Sequence, residues 1–343
     1  MNEIAQTPGS LRLNPITEQE RSDCTQQSER TAESGYLVTC VQSLRSWSVL
    51  LTLRSWAHYA YLKFRQHRLR WILYALVILI AAGGLKAAIW YHHFYNHITQ
   101  QEVSHEVVHT SFNAGIRGDN RINLELYQQA NAKEQPLVIF SSGDGGWSPF
   151  CADMAARIAA TGNTVVGFNI KDYLTTFASS QKPVTPEELM HDYSELIDAA
   201  LSQPGVDPKA PVTLAGWSVG AGFSVLAGSD DAIKKRCNRV IAISLPKYNE
   251  LAWKPTDALI YITHGTPHEK VFEAQHYLPK LAPLSLIMLN ATSDDTSPLS
   301  DARQLFSRAS GHCELLTVNA KGHHFEGGEG EFYRDLDGVF RKS

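Results

Sequence analysis

The strongest constraint on this chain is the stretch Gly216-Trp217-Ser218-Val219-Gly220. It follows a short β-type run, Val212, Thr213, Leu214 and Ala215, and precedes small and apolar residues over 221–228. A serine flanked by glycines at a strand-to-helix junction reads as a sharp turn that presents a hydroxyl at a strand end. Such a turn strains the backbone, so the positions beside the serine need residues without bulk. The bare pattern arises by chance in roughly one chain in ten of this length. The strand before it and the helix after it make it specific.

From residue 136 onward the pattern is that of an α/β fold. Strands are expected at 137–141, 164–169, 212–216, 240–244, 258–264, 284–290 and 314–319. Helices are expected at 150–160, 186–203, 219–228, 298–309 and 329–341. Apolar runs alternating with helices predict a mostly parallel sheet with helices on both faces. Residues 92–135 read as a spacer leading into an early strand pair, in which Ile122, Leu124 and Leu126 alternate with period two.

A serine hydroxyl is a poor nucleophile without a base to take its proton, and the base needs an acid to hold its tautomer. The chain supplies both after Ser218. Asp294 and Asp295 follow the strand expected at 284–290, and His323 and His324 follow the strand at 314–319. Strand ends are where α/β sheets place their sites. Asp294 is nearer its strand end, whereas Asp295 is suited to cap the next helix, so Asp294 is the expected acid. His323 follows Gly322 and is the expected base, with His324 pointing away. The order Ser, acid, His is that of α/β-hydrolases.

An oxyanion needs two backbone N–H groups. One is expected from Val219. The other is expected from Gly145 or Gly146 in the loop Ser141-Ser142-Gly143-Asp144-Gly145-Gly146-Trp147, whose glycines let the backbone turn inward. This loop lacks the G-K-[ST] ending of a phosphate-binding loop. Asp144, Trp147 and Trp217 are candidate substrate contacts, Asp144 for a cationic group or else as a turn residue. Residues 173–184 read either as a partly apolar lid or as a long connection.

The amino-terminal part differs in character. Residues 1–35 are polar and their composition predicts disorder. Residues 36–70 carry Val41, Leu44, Trp47, Leu51 and Trp56 among arginines, the pattern of a basic amphipathic helix or of a loose or partner-bound one. Residues 71–91 form an apolar run interrupted by Lys86, with Trp71, Tyr74, Trp90 and Tyr91 near its ends. About twenty apolar residues match the hydrocarbon thickness of a bilayer, so a single transmembrane helix is expected there. Lys63, Arg65, Arg68 and Arg70 precede the run, and no Lys or Arg follows Lys86 until Arg117. The positive-inside rule then puts residues 1–70 in the cytoplasm and the catalytic part outside it. Residues 1–70 hold nine Lys/Arg and six Asp/Glu of a total of 31 and 35, which leaves the remainder at net −7. Over the whole chain the charge is close to balanced, at a formal net −4, and does not imply bulk nucleic-acid binding. Cys151, Cys237 and Cys313 lie in the catalytic part, where one disulfide and an odd thiol are conceivable.

The motifs resemble the bacterial virulence-protein family of VirJ and AcvB. The resemblance rests on Ser142-Gly143-Asp144-Gly145-Gly146-Trp147, on Thr185-Pro186-Glu187-Glu188 with Asp192-Tyr193, on Gly216-Trp217-Ser218-Val219-Gly220-Ala221 and on Gly322-His323-His324-Phe325. It covers about residues 136–343. It implies a periplasmic serine hydrolase without a cofactor, and for the AcvB branch hydrolysis of aminoacyl esters of phosphatidylglycerol. Trp217 and Gly222 stand where that family usually has tyrosine and an acidic residue. The implied partners are a membrane lipid or small ester at the inner membrane, or a protein of the cell envelope.

Two other readings compete. His105-Glu106-Val107-Val108-His109 matches the H-E-x-x-H zinc pattern, but its alternating β-branched setting suits a strand, where the two imidazoles would not share a helix face. A hydrolase-like domain that had lost its chemistry would serve as an accessory or binding protein of the envelope or a secretion system. An intact set of three catalytic residues argues against that.

Overall fold

A computed structural model describes residues 54–61, 63, 68–99, 107–118, 120–130, 135–179, 182–253 and 270–341. The chain divides into two compact units, Met1–Trp90 and Tyr91–Ser343. The strand expected at 258–264, the polar segment 1–35 and most of residues 36–70 lie outside the described residues.

The apolar run at 71–91 falls within one 32-residue helix, α1 (Arg68–Thr99). The side chains described within the run, residues 72–86, are exposed, with Leu79 at 69% and Ile80 at 66%. Among the described residues no helix is long and apolar enough to cross a membrane.

The larger unit is built on one eight-stranded sheet. Its strands are β1 (Val107–Gly115), β2 (Arg121–Gln129), β3 (Leu137–Ser141), β4 (Thr164–Phe168), β5 (Val212–Trp217), β6 (Cys237–Ile243), β9 (Ser285–Ser293) and β10 (Cys313–Lys321). Two short strands, β7 (Tyr248–Glu250) and β8 (Val271–Glu273), pair separately. The sheet order is β1-β2-β4-β3-β5-β6-β9-β10. The β1–β2 hairpin is antiparallel and joins β4 antiparallel, while β4 through β10 run parallel. The early strand pair is thus the antiparallel end of the sheet.

The central strands β3, β4 and β5 are buried at every position, as expected of strands covered on both faces. On one face lie α4 (Pro186–Leu201) and α5 (Val219–Gly228), through Leu189, Tyr193, Leu196, Phe223 and Leu226. On the other lie α2 (Pro149–Ala160) and α6 (Glu329–Arg341), through Phe150, Met154, Phe332 and Leu336. Local chemistry sets where these helices begin. Ser148 caps α2 by accepting from the Cys151 amide, with Pro149 in the first turn. Thr185 and Glu188 form a reciprocal capping box at α4, which accounts physically for Thr185-Pro186-Glu187-Glu188.

Residues 170–177 correct the lid reading. They form α3 (Ile170–Phe177), and Tyr173, Leu174 and Val184 are fully buried in the core. A segment anchored by three buried apolar side chains is part of the scaffold.

Candidate active site

β5, β9 and β10 are parallel strands, so the residues that follow them meet at one edge of the sheet. Ser218 sits between β5 and α5 with φ 57 and ψ −129, a region costly for any residue with a side chain. The strain is held by backbone bonds on both sides: the Ser218 amide donates to the Ile243 carbonyl (2.9 Å), and the Ser218 carbonyl accepts from Ala221 (2.8 Å). The flanking glycines are steric necessities. A Cβ on Gly216 would lie 2.3 Å from the Gly220 carbonyl group, and one on Gly220 would lie 2.3 Å from the carbonyl oxygens of Ser141 and Ser142. Two bare backbones therefore cross beneath a serine that is 3% exposed.

Asp294 follows β9. Its Oδ1 accepts from the Thr296 (2.9 Å) and Ser297 (2.8 Å) amides, and its Oδ2 faces His323 Nδ1 at 2.9 Å. Burial pushes this carboxyl up. The His323 bond and charge together with the two amides outweigh it, and the carboxyl stays below its ordinary range. An imidazole that donates from Nδ1 to a carboxylate keeps its lone pair on Nε2. His323 Nε2 is buried and makes no hydrogen bond.

The histidine lies in a tight hairpin closed by Lys321 and Glu326, which exchange two backbone bonds of 2.9 and 2.8 Å. Gly322 (φ 62) opens it and donates its amide to the Ser293 carbonyl at the Asp294 loop. The alternatives in each pair go elsewhere. Asp295 is exposed. His324 packs its ring on Phe150 (5.2 Å) and Trp217 (4.8 Å), and burial lowers its pKa from 6.5 to about 4.

With this geometry in view, the chain can be compared with known proteins. Residues 135–253 match the family described as Bacterial virulence protein (VirJ). The VirJ match spans the glycine loop, α4 and the Ser218 turn, and ends before Asp294 and His323. No curated protein matches the chain. Among solved structures, Est1E from Butyrivibrio proteoclasticus is similar at 13% identity and TM-score 0.50, over 68% of this chain and 98% of that one. A dienelactone hydrolase from Anabaena variabilis is similar at 14% identity and TM-score 0.51, over 69% and 99%. The likeness is one of fold: an α/β-hydrolase fold with a mostly parallel sheet.

The loop that carries the VirJ-like Ser-Gly-Asp-Gly-Gly-Trp motif departs from expectation in two places. The Gly146 amide donates to the Gly143 carbonyl (3.1 Å), so it is engaged inside the turn, and Gly145 is exposed at the tip. The loop residue against the nucleophile is Gly143, where a Cβ would lie 3.4 Å from that of Ser218. The Gly146 amide is therefore taken inside the turn, and the loop residue nearest Ser218 is Gly143. Val219 is the first residue of α5, where a backbone N–H has no partner within the helix.

Two of the three candidate substrate contacts are packing residues. Trp147 lies on Gly167, where any Cβ would meet its ring at 2.2 Å, and edge-on to Phe140. Trp217 is 7% exposed and covered by Phe150, His323 and His324. Asp144 is buried beside Gly143. Tyr193 is a site support that motif reading does not single out by role: its hydroxyl meets Ser141 Oγ at 2.6 Å, beneath the loop and the turn.

The zinc pattern is not realised where it is described. His109 lies on strand β1 and bonds Glu125 across the hairpin (2.7 Å), while residues 105 and 106 lie outside the described residues. His191, Asp192 and Glu195 come within 4.8 Å of one another, but Arg117 already occupies both carboxylates, through its side chain on Asp192 and its amide on Glu195. Cys151, Cys237 and Cys313 are free thiols.

Proposed function

We propose that this chain is a serine hydrolase of carboxylic esters. The observation that carries the reading is an imidazole held by a buried carboxylate through Nδ1, with its Nε2 lone pair unused, at the sheet edge that presents Ser218. In this reading Ser218 Oγ attacks the ester carbonyl while His323 Nε2 takes its proton. Asp294 holds the tautomer and stabilises the imidazolium that forms. The Val219 amide and the Gly143–Asp144 backbone face the oxyanion. His323 then returns the proton to the leaving alkoxide, and water attacks the acyl-enzyme by the same route to release the acid and restore Ser218. The Nε2 contact with the hydroxyl closes on substrate binding, as such contacts commonly do.

The neighbours in fold support ester chemistry: their names are those of a dienelactone hydrolase and, over 70% of this chain, a carbohydrate esterase from gut microbiota. The VirJ resemblance favours aminoacyl esters of phosphatidylglycerol as substrate. A net charge of −7 outside residues 1–70 suits a cationic aminoacyl group. The anchor rests on the sequence alone: the apolar run at 71–91 and the charge difference across it favour an inner-membrane anchor with the catalytic unit in the periplasm. That arrangement brings the site to a lipid headgroup.

The test has two stages. A fluorophosphonate should label Ser218, and Ser218→Ala should abolish labelling and ester hydrolysis, with chelators without effect. Turnover of lysyl-phosphatidylglycerol in vesicles should then exceed turnover of short p-nitrophenyl esters. Hydrolysis of p-nitrophenyl esters alone would retain the esterase and remove the lipid substrate.

A further inference from the structure

We infer that Trp217 is a positioning residue that sets the place of the base relative to the nucleophile. The inference rests on the proposed triad. Trp217 precedes Ser218, and its backbone is pinned in β5 between β3 and β6. Its indole Nε1–H donates to the His323 carbonyl at 3.1 Å, a bond across 106 residues of chain. Its ring packs on the imidazoles of His323 (centroids 5.1 Å) and His324 (4.8 Å). The far edge of the same ring lies 3.0 Å from where a Cβ on Gly143 would stand, which ties it to the oxyanion loop. One side chain thus touches the base, the base's neighbour and the oxyanion loop, and it is covalently next to the nucleophile.

The backbone bonds of the histidine hairpin lead elsewhere. They run to Glu326 and Ser293, and these fix the loop to itself and to the acid. The His323 side chain is held by Asp294 from the Nδ1 side. The described contact that references the loop to the Ser218 strand is the Trp217 indole, aided by Phe150, which packs on both Trp217 (5.2 Å) and His324 (5.2 Å). The reach of an indole N–H past the tilted imidazoles accounts for a large aromatic residue at the position before the serine. A phenylalanine keeps the ring contact and loses the donor, leaving a buried carbonyl unpaired.

Trp217→Phe isolates the hydrogen bond. Misplacement of a reacting group by about 1 Å costs on the order of 10²-fold in rate. Trp217→Phe should lower kcat by roughly 10- to 100-fold with KM unchanged, and slow fluorophosphonate labelling of Ser218 in parallel. The downfield proton resonance of the His323–Asp294 hydrogen bond should broaden or move. A purely structural role predicts a lower Tm with kcat and that resonance unchanged. Trp217→Ala removes the ring as well and should be slower still; if it fails to fold, the phenylalanine variant decides. Ser218→Ala, measured alongside, separates the failures. If Ser218→Ala retains activity, the triad and the inference both fall. If Ser218→Ala is inactive and Trp217→Phe has wild-type kcat and labelling rate, only the inference falls.

Discussion

Two buried acid–base pairs dominate the catalytic unit, and they are built differently. In one, Asp192 accepts from Arg117 Nε at 2.9 Å and Nη2 at 2.6 Å and from the Tyr173 hydroxyl at 2.6 Å. The Arg117 guanidinium lies over the Phe177 ring, and its backbone amide donates to Glu195. The bond to Asp192 raises the Arg117 pKa well above the usual arginine range, and burial raises that of Tyr173. This pair fastens the β1–β2 turn to α4. In the other pair, Asp294 is equally well supplied, with two amides and His323, yet His323 has one nitrogen without a partner. A saturated pair can only hold the fold. A pair with one lone pair left over, at the sheet edge that carries a strained serine, can move a proton.

The contrast can be broken most forcefully at the acid. Asp294→Asn should cut kcat/KM on the order of 10⁴-fold, because the amide no longer fixes the imidazole tautomer, with little change in Tm. A comparable loss of stability instead would make this pair structural like its counterpart. Arg117→Ala should do the reverse. It leaves Asp192 buried without its cation, costing about 3 kcal/mol, or roughly 10 °C in Tm, with kcat of the folded enzyme unchanged. A smaller effect is expected beneath the nucleophile. A Cβ on Gly222 would fall 1.9 Å from Asn249 Oδ1, so Gly222→Ala should destabilise by about 1–3 kcal/mol, and Asn249→Ala should relieve part of that in a double-mutant cycle.

An effect that is absent at neutral pH and appears only in acid is expected at His324. Its folded pKa of about 4 lies below the unfolded value of 6.5, so the unfolded chain binds the extra proton between those limits. Stability from this residue is complete above 6.5 and is lost as pH falls toward about 4. His324→Phe should flatten Tm against pH in that window and leave the hydrolytic rate at neutral pH within a few-fold. An unchanged profile would show that the imidazole is not held neutral by its surroundings.

Much of the scaffold was legible because its physics is local. The strand at 137–141 is a continuous apolar run and emerged with those bounds. The Ser218 turn was legible because only glycine tolerates backbone contact at 2.3 Å, so the close approach is written into Gly216 and Gly220. Asp294 and His323 were legible as strand-end residues. The contacts that turn candidates into a site were not. Trp217 reads as a substrate contact from its place beside the serine, because nothing in the local pattern names a carbonyl 106 residues away. Gly146 reads as an oxyanion donor until its amide is seen closing the turn on Gly143. Arg117 is a lone arginine in a hairpin turn, and only the fold brings it to Asp192.

The central claim is that Ser218 is a nucleophile activated by His323. Mass spectrometry of the fluorophosphonate-treated protein tests it directly. The account predicts one adduct, on Ser218, formed by the wild-type chain and suppressed on the order of 10³-fold or more in His323→Ala. An unmodified Ser218, or equal labelling without the imidazole, would contradict it.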